Sequence, residues 1–230
     1  ISVYGAKDFK TNEPKGASMS ITLQAAAANR RYTILSEVAD ALRAADSGIR
    51  SIQAVIAPTD LGSQEVADAF GSHHGLVIAL AEMLAASMLE PLEGFTTAAS
   101  FRQKLVAFGH RVTNVHSASQ LKNLYRIALT EVIRNTGIGR DFYQHGPGLL
   151  TAGLARFFKA AQTAGIVQEE DCHALASHFL ALLRASFDLS DTFPSDVSKD
   201  LSYEQGYVSH IVDLFCAGIH TGAKNAHAAL

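Results

Sequence analysis

The histidines and cysteines of this chain are the first candidates for metal binding or catalysis, and their spacing favours neither. The 230 residues include ten histidines and two cysteines. No two histidines stand four residues apart, as ligands on one helix face would, and no HExxH or CxxC motif occurs. Cys172 follows a run of acidic residues, which do not activate a thiol, and Cys216 lies in an apolar stretch typical of a core. We therefore predict no metal site.

The motifs of nucleophilic catalysis and of phosphate binding are absent as well. The sequence has no GxSxG motif and no glycine-rich phosphate loop. We therefore predict no catalytic residue, no cofactor and no enzymatic activity. Two cysteines are also too few for a disulfide scaffold, which favours a reducing, cytoplasmic compartment.

Charge and hydropathy exclude two further classes. The 19 Lys and Arg face 22 Asp and Glu, and a net charge of −3 excludes a strongly basic nucleic-acid binder, although local basic patches are still possible. The longest apolar run, residues 76–81, is interrupted by Glu82 and is far shorter than the roughly 20 residues that span a bilayer. Residues 1–14 carry several charges and no apolar stretch, so we expect neither a signal peptide nor a membrane association.

Helical periodicity dominates the rest of the sequence. Leu121, Leu124, Ala128 and Val132 belong to one apolar stripe with the spacing of a helix, and similar stripes recur along the chain. No convincing strand pattern occurs, so we predict an all-α fold of about nine helices. Glycines and prolines divide the chain into a flexible arm (1–28), a group of three compact helices (29–75) and a larger helical block (76–230).

Residues 51–70 have the pattern of a helix-turn-helix, whose second helix lies in the DNA major groove. Ser51 is placed to cap the first helix, and Val55 and Ile56 give that helix a buried face. The turn falls near Thr59, and the second helix is expected to run from Gly62 or Ser63 to Phe70.

In this region the chain resembles the tetracycline-repressor (TetR) family of transcriptional regulators. The matching features, in order, are Ile34-Leu35, Gly48, Ser51, Val55-Ile56, the turn 59–62 and the step Phe70-Gly71-Ser72-His73. Further along, residues 123–128, 141–147 and 182–184 resemble the AefR-like C-terminal domain found in part of this family. The resemblance covers roughly residues 30–220. It implies a DNA-binding domain at 29–75 and a ligand-binding and dimerisation domain at 76–230.

The resemblance implies operator DNA as a partner, but the expected recognition helix is acidic. The candidate DNA contacts are Arg50, Ser51, Ser63, Gln64 and His73, of which the two serines suit helix caps equally well. Where the family usually has Thr, Tyr and a basic residue, this chain has Glu65, Ala67 and Asp68, and acidic groups oppose phosphate binding. Basic residues that could compensate lie outside the motif, at Lys7, Lys10, Lys15, Arg30, Arg31 and Arg43.

For the C-terminal block the resemblance implies a cavity between the middle helices that holds a small apolar or aromatic effector. Most aromatic residues of this block also suit an ordinary core. The candidate ligand-binding residues are Phe101, Phe108, His110, His116, Tyr125, Phe142 and Phe158, with Asn123 and His145 as further polar groups.

The last two helices have two possible uses. In the family they pack against their copies in a homodimer, which would place two reading helices on adjacent half-sites of DNA. These two helices carry an apolar stripe that suits either this interface or the core of one protomer. It consists of Leu175, Phe179, Leu182, Val208, Ile211, Val212 and Phe215. The sequence thus predicts a ligand-responsive, dimeric repressor. The alternative is a ligand-binding or partner-binding protein of the same fold whose degenerate helix-turn-helix no longer reads DNA.

Overall fold

The computed structural model describes residues 15–45, 48–94, 97–184 and 201–219, and every regular element in these ranges is helical. A 3₁₀ turn, Glu90–Leu92, extends the fourth helix, and a π-helical turn, Gln144–Gly148, joins the seventh helix to the eighth without a break. The described residues therefore form nine continuous helical rods, and the predicted all-α fold is confirmed. The helices are α1 (Lys15–Ala44), α2 (Ile52–Ile56), α3 (Ser63–Phe70), α4 (His73–Leu89), α5 (Ala98–Thr113), α6 (Val115–Ile133), α7 (Ile138–Tyr143), α8 (Leu149–Thr163), α9 (Cys172–Arg184) and α10 (Leu201–Ile219).

Helix α1 begins at Lys15, fourteen residues before the start near residue 29 that the apolar stripe predicted. Residues 24–33 are exposed throughout, and burial begins only at Ile34. Since the run Ala25–Ala28 consists of the strongest helix former, intrinsic propensity extends the helix where no packing requires it. A prediction based on apolar periodicity does not register such an extension.

Side-chain caps define the helix-turn-helix. Ser51 Oγ accepts a hydrogen bond from the Ala54 amide, 3.2 Å away, at the start of α2. In the turn, Thr59 Oγ1 donates to the Ile56 carbonyl at 2.6 Å and accepts from the Leu61 amide at 3.3 Å. The first two bonds engage backbone groups at the ends of the short α2, and the third holds the Leu61 amide in the turn.

The buried apolar residues form two clusters that share α4. The first cluster joins α1, α2 and α3 to the first half of α4, to α6 and to α7. The second joins the end of α4 to α5, α8, α9 and α10, and holds a group of phenylalanines: Phe101, Phe108, Phe157, Phe158, Phe179 and Phe215. The three N-terminal helices alone are too small to bury their apolar faces, so their core extends as far along the chain as Phe142.

Helix α4 is also the most apolar segment of the fold. Together with the 3₁₀ turn, residues 73–92 are the one described segment long and apolar enough to cross a membrane, with a mean hydropathy of 1.6. Half of that window is buried inside the protein, as expected for a central helix that contributes to two cores.

Two buried polar side chains of α6 attach the C-terminal end of α1. Asn123 Nδ2 donates to the carbonyls of Leu42 and Ala45, at 2.9 and 3.0 Å, and Gln120 Nε2 donates to the Ala39 carbonyl at 2.6 Å. The last carbonyls of a helix have no partners within it, so the two bonds from Asn123 satisfy terminal carbonyls of α1, while Gln120 binds a carbonyl inside the helix. Asn123 therefore has a structural role in joining the two halves of the molecule.

Candidate functional site

The first candidate site is the exposed face of α3, the second helix of the helix-turn-helix. Ser63, Gln64 and Asp68 are exposed, and Gln64 Nε2 donates to Asp68 Oδ1 at 2.8 Å. The N-cap of α3 is Gly62, so the Ser63 side chain lies within the first turn instead of capping it. Of the two serines, only Ser51 acts as a cap.

Two arginines of α1 lie against this acidic helix. Arg30 Nε donates to Glu65 Oε1 at 2.7 Å, and the same carboxylate oxygen also accepts from Arg30 Nη2. Arg31 Nη1 donates to the Ala69 carbonyl at 2.8 Å, and its guanidinium lies 4.7 Å from the centre of the Phe70 ring. Sequence reasoning placed both arginines outside the motif. Their proximity to α3 depends on the crossing of α1 over α3, which local sequence patterns do not show.

The remaining predicted DNA contacts lie at the edges of the motif. Arg50 is exposed just before α2, and its Nη1 donates to the Ile49 carbonyl at 2.9 Å. His73 is the first residue of α4 and is half-buried. Its neighbour His74 places Nε2 3.3 Å from Asp141 Oδ2 on α7, so it contacts the body of the molecule.

The second candidate site is a cavity of about 440 Å³ between α4, α5, α6, α7, the π-helical turn and α8. This volume lies within the usual range for small-molecule sites. Nearly all of the lining is apolar. The lining residues are Ala81, Ala85, Met88, Val112, Leu121, Lys122, Tyr125, Phe142, Gly146, Pro147 and Leu150.

The π-helical turn forms one wall of this cavity. Pro147 lies inside the turn, where its missing N–H removes a backbone hydrogen bond and favours a departure from α-helical geometry. Gly146 packs closely on α4, since a Cβ at this position would lie 3.4 Å from the Cβ of Ala81. Irregular turns of this kind inside helices are frequent at functional sites.

Two histidine–carboxylate contacts fasten α4 to this wall. His145 Nδ1, in the π-helical turn, lies 2.5 Å from Glu82 Oε1 on α4. The contact of His74 with Asp141 lies closer to α3, at the start of α4. The continuous segment of α7 and the π-helical turn, which borders the cavity, is therefore joined to α4 through Asp141 and through His145.

The predicted ligand-binding residues divide between cavity and core. Tyr125 and Phe142 line the cavity, with ring centres 5.3 Å apart and nearly perpendicular planes. Phe101, Phe108 and Phe158 do not line it; they are fully buried in the second cluster, where they contact the other phenylalanines. A large apolar ring suits a cavity wall and a closed core equally well, so the sequence alone does not distinguish these two environments.

The polar candidates also occupy other positions. His110 is half-buried on α5 and is not among the lining residues, and the side chain of His116 lies outside the described residues. Sequence reasoning missed Met88, Lys122 and Leu150, which do line the cavity. Lys122 could have been found, because it precedes Tyr125 by three residues and so shares its helix face.

The predicted interface stripe lies mostly within the protomer. Phe179, Ile211, Val212 and Phe215 are buried in the second cluster, and Leu175 packs against it. Val208 is buried as well. The exception is Leu182, whose side chain is 44% exposed. On α10, Leu214 is 62% exposed and was not predicted. The described outer face of α9 and α10 thus carries two large apolar side chains.

No group of three or more His, Cys, Asp or Glu side chains comes together to hold a metal within the ranges that the structure describes. The two candidate contact surfaces in the described residues are the α3 face and the apolar cavity. A helix-turn-helix joined to a larger helical body is an arrangement typical of transcriptional regulators. Residues 103–218, half of the chain, match the AefR-like transcriptional repressor C-terminal domain. The chain belongs to the TetR family of transcriptional regulators.

Solved structures of the same family share the fold. A TetR-family transcriptional regulator from Mesorhizobium loti MAFF303099 aligns with a TM-score of 0.62 at 16% identity, over 84% of this chain and 98% of that one. The flavonoid-responsive regulator FrrA aligns with a TM-score of 0.58 at 20% identity, over 85% and 100%. A TetR-family regulator from Pectobacterium atrosepticum gives 0.54 at 20% identity, over 86% and 97%. No curated protein matches the sequence.

Proposed function

We propose that this protein is a cytoplasmic repressor that binds operator DNA as a homodimer and is released by a small, largely apolar effector bound in the cavity. The observation that carries the proposal is the position of α4. Its N-terminus follows α3 after a two-residue turn, and Ala81, Ala85 and Met88 of its second half line the cavity.

This arrangement gives an effector a physical route to the DNA-binding helix. A ligand that contacts α4 or the π-helical turn can favour one position of α4 over another, and the first cluster attaches α4 to α1, α2 and α3. Such a ligand shifts DNA affinity only by its preference for one of the two states. The contacts of His74 and His145 with carboxylates would transmit movement of the cavity wall to α4.

The charges around α3 in the folded protein favour DNA binding more than the acidic sequence of α3 alone indicates. Arg30 compensates Glu65, and Arg31 adds a second cation beside the C-terminal end of α3. The alternative, a protein of this fold that no longer reads DNA, is favoured by the exposed Asp68 and by the absence of Lys and Arg from α3 itself.

Dimerisation is proposed through the outer face of α9 and α10, where Leu182 and Leu214 are exposed. Two large apolar side chains on adjacent helices are suited to a self-complementary contact around a twofold axis. The dimer would place two copies of α3 about one turn of DNA apart.

A DNA-binding titration at low salt tests the proposal. The purified chain is titrated by fluorescence anisotropy onto the DNA that flanks its own gene, with unrelated DNA of equal length as the control. The first effectors to add are flavonoids, the flat aromatic molecules that the name of the structural neighbour FrrA gives as its effectors. We expect sequence-dependent binding that an effector weakens. Equal binding to both DNAs, or none up to micromolar protein, would favour the alternative.

A matched pair of variants links release to the cavity. Ala85→Leu inserts extra volume into the cavity wall, whereas Ala86→Leu adds the same group to an exposed position of α4. We expect Ala85→Leu to bind DNA without responding to effector and Ala86→Leu to behave as the unaltered chain. An equal response of both variants would place the effector elsewhere.

A further inference from the structure

We infer that the proposed homodimer is weakened by acid, because two exposed histidines of the α9–α10 face, His178 and His210, become enclosed against leucines of the second copy. The inference rests on the proposed function, since it specifies the chemistry of the dimer contact. Each helix carries one exposed histidine and, four residues later, one exposed leucine, Leu182 on α9 and Leu214 on α10. That spacing places the two side chains of each helix on the same face. We call these four residues the His–Leu patch.

Helices α9 and α10 run antiparallel, and two contacts fix their register. The ring centres of Phe179 on α9 and Phe215 on α10 are 4.8 Å apart. Further along α9, Leu183 lies beside Gly109 of α5, and Val208 of α10 lies beside the same glycine. A Cβ at Gly109 would lie 3.4 Å from Leu183 Cδ2 and 2.6 Å from Val208 Cγ1. Residue numbers of α9 therefore rise along the pair as those of α10 fall.

In this register His178 is level with Leu214, and Leu182 is level with His210, so histidine and leucine alternate around the His–Leu patch. A second copy related by a twofold axis in the plane of the patch, running along or across the helices, places each histidine on a leucine of that copy. The patch is thus complementary to itself, which argues for a second copy of this chain as its occupant.

The surroundings of the patch carry little uncompensated charge. Ala181 and Ala217 are small and exposed. Asp213, the one carboxylate among the described side chains of α10, is held by Arg102 of α5 through hydrogen bonds of 2.6 and 2.9 Å. Depletion of charge is typical of the core of a protein–protein interface.

Dimerisation on this face removes water from both histidines. A neutral imidazole loses little on packing against leucine, whereas an imidazolium loses its hydration and gains no partner there, which costs much more. The separated copies therefore bind more protons than the dimer in weakly acid solution, where histidine titrates. By linkage, association strengthens as the pH rises and weakens as it falls.

The other charged groups near the patch do not reverse this direction. Arg102 lowers the pKa of the Asp213 carboxyl through its hydrogen bond, so Asp213 stays charged at pH 5.5 and attracts a protonated His210 in monomer and dimer alike. Lys104 and Arg111 of α5 bind groups of the 3₁₀ turn after α4. The remaining titratable or charged side chains described on α5, α8, α9 and α10 are His110, Arg156, Lys159, Cys172, His173, Tyr207 and Cys216.

Sedimentation equilibrium of the full chain at pH 7.5 and pH 5.5, with fluorescence detection to reach nanomolar concentrations, tests the inference. An exposed histidine is mostly neutral at the first pH and mostly protonated at the second, so each proton that the dimer excludes raises the dimer Kd by about tenfold. We expect at least this increase in the unaltered chain, and a change of less than about twofold in the double variant His178→Gln/His210→Gln, which has no proton to exclude.

Two further variants serve as controls. His173→Gln removes another exposed histidine of α9, about 140° around the helix from His178, and should retain the full pH dependence. Leu214→Glu places a charge in the His–Leu patch and should give monomers at pH 7.5.

The outcomes separate this inference from the proposed function. The same Kd at both pH values, or an increase in acid that persists in the double variant, would overturn the inference and leave the homodimer in place. A Leu214→Glu chain that dimerises as tightly as the unaltered chain would overturn it too, because the contact would lie elsewhere. Monomers of the unaltered chain at pH 7.5 would contradict both. If the double variant does not fold, His178→Gln and His210→Gln are measured singly, and an undiminished increase in both would refute the inference.

Discussion

Arg30 of α1 and Glu65 of α3 form an ion pair across 35 residues of sequence, with Arg30 Nε 2.7 Å from Glu65 Oε1. The two side chains are 49% and 35% exposed, so the pair contributes at most about 1 kcal/mol to stability. Its larger consequence concerns binding, because the carboxylate of α3 is compensated before any phosphate approaches. The acidity that argued against DNA binding in the sequence is thereby reduced in the folded protein.

Removal of Arg30 is predicted to weaken DNA binding more than the loss of one cation would. Arg30→Ala leaves the Glu65 carboxylate uncompensated near the phosphates, so we expect an increase of about tenfold in Kd and a salt dependence reduced by about one phosphate contact. The additional change Glu65→Gln should restore most of the affinity. Fluorescence anisotropy at several salt concentrations measures both quantities.

The control for this prediction is Arg43→Ala. Arg43 also belongs to α1, but its guanidinium pairs with Asp40 of the same helix at 2.6 Å. We expect less than a twofold change in Kd. An equal loss in Arg30→Ala and in the double variant would show that Glu65 does not affect DNA binding.

The turn between α3 and α4 is predicted to depend on Gly75. A Cβ at this position would lie 2.1 Å from the Phe70 carbonyl oxygen, so the backbone of the turn must shift to accept alanine. We expect Gly75→Ala to lower stability by about 1–3 kcal/mol, although alanine favours a helix, and to abolish DNA binding because α3 is displaced. Chemical denaturation and anisotropy measure the two effects.

A second glycine provides the comparison for stability. Gly62, at the other end of α3, has open space where a Cβ would stand and an ordinary φ of −77°. Gly62→Ser also introduces a favourable N-cap, so its stability should equal or exceed that of the unaltered chain. A Gly75→Ala variant as stable as Gly62→Ser would contradict the predicted clash.

Local sequence patterns were sufficient for the short helices of the helix-turn-helix, and insufficient for the start of α1 and for the cavity. The cap at Ser51 and the buried positions of α2 follow from short-range rules, and the structure shows both. The cavity lining depends on a π-helical turn, whose irregularity Pro147 favours without specifying its form, and on which face of α6 is turned towards α4, which has no local signature. Large phenylalanines were natural ligand candidates, but Phe101 and Phe158 fill the core instead. Packing between helices that are distant in sequence determines which of these residues line the cavity and which fill the core.

The contact between Glu82 and His145 is predicted to contribute to the coupling between effector and DNA. Glu82→Ala removes one of the two attachments of α4 to the cavity wall, without changing a lining residue. We expect effector affinity within about twofold of the original and a release of DNA weakened severalfold, since coupling energies of 1–3 kcal/mol are typical. Calorimetry and anisotropy on the same preparation give both values.

Glu90→Ala is the matched control for that experiment. Glu90 follows α4 directly, but its carboxylate pairs with Arg111 of α5 at 2.7 Å and makes no contact with the π-helical turn in the described contacts. We expect unaltered coupling. If Glu82→Ala and Glu90→Ala weaken release equally, the histidine–carboxylate contact has no special part in it.

The packing of α5 on α10 is predicted to require Gly109. A Cβ there would lie 2.6 Å from Cγ1 of Val208, a buried and β-branched side chain with little freedom to move. Gly109→Ala should therefore destabilise the protein by about 1–3 kcal/mol. The same substitution at Gly206 of α10, where nothing lies within 4 Å, should stabilise by about 0.5–1 kcal/mol through helix propensity. Urea denaturation should give opposite signs, and equal signs would contradict the close contact.

Cys216 is predicted to make stability fall in alkaline solution. Burial of the thiol, with a smaller contribution from the nearby Asp213 carboxylate, raises its pKa from 9.0 to about 11. Above pH 9 the unfolded chain loses this proton while the folded chain keeps it, so the folded state binds more protons and stability decreases as pH rises towards 11. The difference between the unaltered chain and Cys216→Ala across this range isolates the effect from other titrating groups. In Cys172→Ser, the remaining thiol should react with a disulfide reagent at pH 8 far more slowly in the native state than in denaturant, and equal rates would show that Cys216 is neither buried nor protected as a neutral thiol.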